Sequence, residues 1–527
     1  METPSTPLKR RGLPIGIQNL RELRARECYY VDKTDMAVDL VESGKYYFLS
    51  RPRRFGKSLL VDTFKELFEG NRALFEGLAA EHRWDWTRRW PVVRISFSGG
   101  GLDSAERLEE RIHELLDENE QRLGVQTRYR SITGRFVELV RLAHERHGAP
   151  VAVLIDEYDK PILDRIAQPE LAECMREQLK ALYESFKAMD EHLKFVFLTG
   201  VSKFSKVSLF SGLNNLTDLT LDARYSSLCG YTDADIDRVF AAELPGLDRE
   251  QIRNWYNGYN WGGEGVYNPF DVLLLFRNRE FRAYWFETGT PTFLTRLLAE
   301  RRFFAPRLSA LQTSEALLSS FDVQHIAPEA LLFQAGYLTI HEVRQPLLGK
   351  WVYTLGYPNR EVEAALNEAL LPEYGVPPET LVRTQESVSE VLRQGRPQEL
   401  EPLLRALYAG IPHDWYRSSP LAGFEGHYAS VFYSHFAALG LDIRVEDATS
   451  HGRIDLTLRH ARQVYLFEFK VVEQQATGEA LRQIHARGYA DKYRGRGEPI
   501  HLIGVEFGRA QRNLVGFEVE TIGATGI

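Results

Sequence analysis

Cysteine is scarce in this chain. Cys28, Cys174 and Cys229 lie scattered through 527 residues, which gives neither a disulfide framework nor the paired spacing of a zinc site. That fits a reducing compartment, and it leaves histidines such as His413, His427 and His451 outside any Cys/His metal set. Apolar runs of membrane-spanning length are missing too, and Met1 to Pro14 holds no apolar stretch of the signal-peptide kind. Neither insertion nor secretion is expected, so the chain reads as cytoplasmic with no membrane partner. The net charge is −8, which argues against a protein coated in basic charge for non-specific DNA binding but leaves room for a local basic groove. Internal repeats and low-complexity tracts do not stand out. At this length more than one core is needed, and three or so domains are expected.

What is present is two constellations of chemistry. Near the C-terminus, Ile454 to His460 alternates apolar and polar residues, and Val464 to Val472 is rich in β-branched and aromatic residues, so both read as strands. A turn centred between Ala461 and Arg462 sets Asp455 opposite Glu468. Paired carboxylates repel in a purely structural hairpin but suit a hard divalent cation, and Lys470 shares the face of Glu468. Together they could hold Mg²⁺, orient a water and stabilise charge on a phosphodiester. The plainer alternative is a hairpin whose wet face carries Asp, Glu and Lys.

Near the N-terminus a strand-like run, Lys45 to Ser50, passes through Arg51-Pro52-Arg53-Arg54-Phe55-Gly56-Lys57-Ser58 into a helical pattern from Leu59 to Phe68. Gly56-Lys57-Ser58 fits the end of a Walker A loop, in which backbone N–H groups cradle phosphates, Lys57 reaches the outer phosphates and Ser58 contacts Mg²⁺. Arg51 stands where the general pattern has its first glycine, so a basic loop with a chance GKS is the alternative. Pro150 to Ile155, a buried-strand run, ends in Asp156-Glu157, a Walker B pattern: Asp156 would hold Mg²⁺ and Glu157 would polarise the attacking water. Phe195 to Leu198 ends in Thr199 to Lys203, where Thr199 and Ser202 stand either as γ-phosphate sensors or as turn caps.

Both constellations resemble known families. Asp455, Glu468 and Lys470 look like the signature of the PD-(D/E)xK nuclease superfamily; Phe424 to Leu439 resembles its first core helix, with Glu425 as the acidic residue, and Ala480 to Ile484 with Tyr489 resembles the helix that follows. That resemblance implies Asp455 and Glu468 as metal ligands, the Phe469 carbonyl as a further donor, Lys470 as the residue that positions or activates water, and Glu425 and Gln483 as catalytic support. The RPRRFGKS loop resembles that of an AAA-ATPase-like family found fused to such nucleases, as do Leu13 to Ile17, Tyr30 to Thr34, Asp156 to Pro161, Leu198 to Phe204, Trp255 to Tyr259, Tyr267 to Phe270, Leu332 to Thr339 and Leu355 to Val362. This implies an ATP site built from Arg53, Arg54, Phe55, Gly56, Lys57, Ser58, Leu59, Asp156 and Thr199, with Mg²⁺ at Ser58 and Asp156 and with Mg²⁺ or Mn²⁺ at the nuclease site.

The expected architecture is α/β and multidomain: a P-loop AAA-ATPase-like domain over 1–225, a helical lid and winged-helix-like region over 226–395, and a nuclease-type domain over 396–527. A hairpin is expected around Gln345 to Lys350. The Trp255 to Gly265 cluster reads as core and turn, with base stacking as a second option. Arg482, His485, Arg487, Lys492, Arg494 and Arg496 are partly compatible with one helix face, either solvated or on a phosphate backbone. Arg51, Arg53 and Arg54 are candidates for contacts with nucleotide, nucleic acid or the nucleotide of a neighbouring subunit in a homo-oligomer. The function expected is that of an ATP-binding, ATP-hydrolysing protein with a metal-dependent nuclease acting on DNA. The competing class is a nucleotide-dependent regulatory or scaffold protein whose nuclease fold binds nucleic acid or a partner without cutting.

Overall fold

A computed structural model describes residues 10–523 other than 100, 204–214, 288–291, 302, 319–326, 412–425, 450 and 496. The chain forms two compact units, one from Met1–Trp285 with Gln312–Asn359 and one from Phe286–Leu311 with Arg360–Ile527.

The first unit is built on a parallel five-stranded sheet. Its strands are β1 (Tyr46–Ser50), β2 (Val92–Ser96), β3 (Val151–Asp156), β4 (Leu193–Gly200) and β5 (Thr217–Asp218), ordered β2–β3–β4–β1–β5. Runs such as Val151 to Ile155, apolar at every position and wholly buried, suit a strand covered on both faces. The helix Lys57–Phe68 buries Leu60, Val61, Phe64, Leu67 and Phe68, and its Phe64 ring meets Phe195 and Phe197 at 5.1 and 4.9 Å. Each such buried ring contributes about 2–3 kcal/mol. Because β1, β3 and β4 run parallel, their C-terminal ends share one edge, and the β4 end lies between those of β1 and β3. Ligands of open α/β sheets bind at that edge.

The first unit continues through helices around a core that includes Ile236, Phe240, Tyr256 and Tyr267. Trp261 and Tyr259 are buried as well, in line with the core reading of that cluster. A small sheet ordered β6–β8–β7 follows, from β6 (Leu311–Ser314), β7 (Thr339–Leu347) and β8 (Lys350–Gly356). β7 and β8 form the expected hairpin, closed at Leu347↔Lys350 over Leu348 and Gly349.

In the second unit a mixed sheet is ordered β13–β12–β11–β10–β9, from β9 (Asp442–Thr449), β10 (Gly452–His460), β11 (Gln463–Val472), β12 (Ile500–Gly508) and β13 (Asn513–Ile522). All its neighbours are antiparallel except β11 and β12. Their parallel pairing requires a crossover, which contains the helices Glu479–Ala486 and Asp491–Arg494. The period-2 geometry of β11 divides its side chains. Phe467 and Phe469 meet Phe432 of the helix Gly426–Ala437 on one face, and Val464 and Leu466 pack with Ile484 of the crossover on the other. Glu425 lies outside the described residues.

Candidate nucleotide and metal sites

β10 and β11 are joined through Ala461 and Arg462, both at positive φ (49° and 61°), the backbone of a type I′ two-residue turn. The ladder runs from His460↔Gln463 to Leu456↔Phe467, so its continuation sets Asp455 opposite Glu468. On the other side of β10, Glu446 at φ 47° falls between the pairs Leu456↔Val445 and Ile454↔Asp447. Asp455 therefore sits where regular pairing is interrupted, and its Oδ2 accepts from the Phe469 N–H at 2.8 Å.

Alternation carries Glu468 onto the crossover face after Val464 and Leu466. There Gln483 Nε2 donates to Glu468 Oε1, and Lys470 Nζ stands 3.9 Å from the same oxygen. Glu468 is 1% exposed, and its Oε2 has no hydrogen-bond partner among the described residues. Burial first, and the charge of Asp455 second, push the Glu468 carboxyl up to about 8, with Lys470 opposing. Burial likewise raises Asp455 above the ordinary carboxylate range, against the Phe469 N–H and Lys470. Two crowded carboxylates with an orphaned inward oxygen are the donor set for a hard cation, and a Mg²⁺ ion that keeps several waters needs only one or two of them. The residues thus fit a divalent metal, although no cluster of three or more His, Cys, Asp or Glu stands around it among the described residues.

The basic stretch after these strands is not one helix face. The helix ends at Ala486 with Arg487 as its C-cap, and the chain re-enters a helix only at Asp491. Lys492 Nζ is held by Asp447 Oδ1 at 2.5 Å and by the Ala448 carbonyl, His485 pairs with Glu520 at 2.9 Å, and Arg487 donates to the His451 carbonyl. Arg496 lies outside the described residues. Two carboxylates escaped notice in the sequence. Asp447 also accepts from Thr457 and Tyr493, and Glu506 accepts from Thr477, Glu479 and Ala480 at the start of the helix that carries Gln483. Their partners are remote along the chain, so no local pattern signals them.

In the first unit the loop Arg51–Gly56 joins β1 to the helix Lys57–Phe68. Gly56 is its N-cap at φ 88°, and its first turn holds no acidic residue. The positive φ favours glycine, and the free N–H groups with the helix dipole make an anion seat. Lys57 Nζ donates to the carbonyls of Arg51 and Pro52 at 2.9 and 2.8 Å. Burial lowers its pKa, while Asp156 draws it back. Asp156, at the end of β3, and Thr199, at the end of β4, are buried, and Asp156 Oδ1 and Thr199 Oγ1 lack hydrogen-bond partners among the described residues. Glu157 follows at φ 53°, its carboxyl raised by burial and then by Asp156. Ser58 and Leu59 are half-buried, and Arg53 and Arg54 are exposed. Arg53 lies 3.9 Å from Asp164, and Arg54 stands over the Phe270 ring.

Three side chains here are occupied otherwise. Arg51 is fully buried, donates to the carbonyls of Ser50, Thr220 and Tyr225 and lies 4.0 Å from the Trp261 ring centre. It braces the loop from behind rather than touching phosphate. The Phe55 ring packs against Tyr259 and Trp261, which leaves only its backbone for a ligand. The Ser202 hydroxyl donates to Asp159 Oδ2 at 2.7 Å.

A family model described as "Predicted AAA-ATPase" matches residues 14–210, and one described as "PD-(D/E)XK nuclease superfamily" matches residues 423–517. A relative from Azotobacter chroococcum mcd 1, described as "Uncharacterized protein in vnfD 5'region", is 59% identical over 517 residues, covering 98% of this chain and 100% of the relative. The chain belongs to the family that joins an AAA-ATPase-like domain to a PD-(D/E)XK nuclease superfamily domain. In this AAA-ATPase-like nuclease-family protein, no helix among the described residues is long and apolar enough to cross a membrane.

Proposed function

We propose that this chain binds and hydrolyses ATP and cleaves DNA phosphodiester bonds with a divalent metal, the state of the first site controlling the second. The observation that carries the nuclease reading is the buried Glu468 beside the half-buried Asp455, with an orphaned Glu468 oxygen, Lys470 at 3.9 Å and Gln483 bonded to Glu468. Asp455 and Glu468 would hold Mg²⁺ or Mn²⁺, with the Phe469 carbonyl as a further donor. Such an ion supplies Lewis-acid polarisation of the phosphate and a bound water of lowered pKa. Lys470 orients that water and offsets charge on the phosphate oxygens; Gln483 fixes the Glu468 carboxylate.

In the ATP reading, Lys57 leaves the two loop carbonyls for the outer phosphates, and the N–H groups from Arg53 to Leu59 line the seat. Ser58 and Asp156 hold the Mg²⁺ of the nucleotide, Glu157 accepts the proton of the attacking water, and Thr199 faces the γ-phosphate. The orphaned Asp156 and Thr199 oxygens at one sheet edge support this. Control of cleavage by ATP requires nucleotide states with different affinity, a coupling of a few kcal/mol.

Cleavage of linear, circular and single-stranded DNA and of RNA with Mg²⁺ or Mn²⁺ tests the proposal. The wild type is compared with Asp455→Ala and Lys470→Ala, each with ATP, with ADP and without nucleotide. Loss of DNA cleavage in both variants is expected; no cleavage by the wild type on any substrate sinks the nuclease reading. Identical rates with ATP, with ADP and in Lys57→Ala would remove the control step alone.

A further inference from the structure

A short helix late in the first unit touches both loops that flank the candidate nucleotide seat. It spans Pro328–Ala335 and is closed by Gly336 at φ 94°. Gln334, near its end and 4% exposed, accepts the Lys203 N–H at 2.9 Å and donates to the Leu318 carbonyl at 3.0 Å. Lys203 directly follows Ser202, whose backbone and side chain are held by Asp159, in the segment that continues β4 past Thr199. Its ammonium pairs with Asp218, so that segment is gripped from two directions.

Gly336 lies on the other loop. A Cβ there would stand 2.6 Å from Pro52 Cγ and 2.7 Å from Pro52 Cβ, and these belong to a stiff ring that cannot swing aside. The positive φ adds strain for any other residue. Around this contact Trp285 Nε1 donates to the Arg53 carbonyl at 3.1 Å, and Tyr337 packs on Trp285 at 5.3 Å. Two residues on, Thr339 Oγ1 accepts the Asn260 N–H beside Trp261, the ring under Arg51. Pro52 is also one of the two carbonyls that hold Lys57.

We infer that Gln334 and Gly336 are positioning residues for ATP, setting the segment after β4 and the phosphate loop, respectively, from one helix end that lies outside the matched ATPase region. This rests on the ATP reading above. The two contacts act on different parts of the reaction. Gln334 governs the backbone that follows Thr199, so it acts on the step at the γ-phosphate. Gly336 sets where Pro52 and the Lys57 ammonium stand, so it acts on nucleotide affinity. Displacements of the order of 1 Å at such places cost roughly a hundredfold.

The test uses the full chain and reads ATP binding by calorimetry, kcat and KM for phosphate release, and melting temperature. Gln334→Met is expected to lower kcat about tenfold or more with little change in KM. Gln334→Glu keeps an acceptor for the Lys203 N–H and is expected to restore most of kcat. Gly336→Ala is expected to weaken ATP binding about tenfold or more. Ile252→Val, a mild core change elsewhere in the unit, controls for lost stability and is expected to leave both constants unchanged. Folded Gln334→Met and Gly336→Ala proteins with wild-type kcat and KM would overturn the inference while leaving the ATP reading intact. Equal losses in Gln334→Met and Gln334→Glu would also overturn it. A wild type that binds no ATP would remove both.

Discussion

Glu468 and Arg51 are ionisable groups that the fold takes out of water, and the surroundings compensate them differently. Arg51 finds three backbone carbonyls and an aromatic face, and burial lowers its pKa only to about 10, so it stays charged. A lysine cannot present the same planar fork. Arg51→Lys is therefore expected to cost about 1.5–3 kcal/mol of stability, seen as a lower melting temperature of the first unit. Glu468 has the opposite problem, because one of its oxygens has no donor among the described residues. Gln483 steadies the other, and Gln483→Leu is expected to weaken Mn²⁺ binding roughly 10–100-fold, measured by calorimetry with no DNA present. Unchanged Mn²⁺ affinity would show that the Gln483 contact has no part in metal binding.

At the scale of elements, the β10–β11 hairpin was legible because its register follows from one turn centre and a period of two. Ala461 and Arg462 are poor residues for their left-handed conformations. The double change Ala461→Asn and Arg462→Gly is expected to stabilise the second unit by about 1 kcal/mol, because the left-handed cost it relieves, about 1–2 kcal/mol per residue, exceeds the roughly 0.5–1 kcal/mol of chain entropy that glycine adds, and the gain is read as a rise in its unfolding midpoint without loss of metal binding. The strand, loop and helix around Lys57 were legible for the same reason, since burial pattern and loop chemistry are local. The role of Arg51 was not, because the carbonyls of Thr220 and Tyr225 that receive it come from remote residues. Nor was the tie from Lys203 to Gln334, a single hydrogen bond between segments whose sequences carry no matching period. The run from Arg482 to Arg494 was partly compatible with one helix face by spacing, but the helix stops at Ala486, and Asp447 and Glu520, remote along the chain, take Lys492 and His485 as separate partners.

For the molecule as a whole, the two units respond to different solution variables. ATP at a hundred times its dissociation constant is expected to stabilise the first unit by about 2.7 kcal/mol, and Lys57→Ala should abolish the shift. The second unit carries His427, His435 and His501, whose pKa values burial lowers to about 4 from an ordinary 6.5. Unfolding frees them to bind protons between those values, so their contribution to stability is full above about pH 6.5 and falls as the pH drops towards 4. His435 alone is expected to withdraw roughly 2 kcal/mol between pH 7 and pH 5. Glu468, with its raised pKa, works in the contrary sense. Comparing the melting temperature at the two pH values in wild type and His435→Gln isolates the histidine, and an equal pH dependence in both would refute its part. The chain also changes units three times, at residues 285, 311 and 359, which fixes an order of events during synthesis. Gly336 and its helix leave the ribosome after the segment 286–311, so the first unit cannot close until about residue 359 has emerged. Residues 286–311 meanwhile wait for a sheet whose last strand, β13, starts only at Asn513. A nascent chain thus holds an unmatched length of its second unit in the midst of its first.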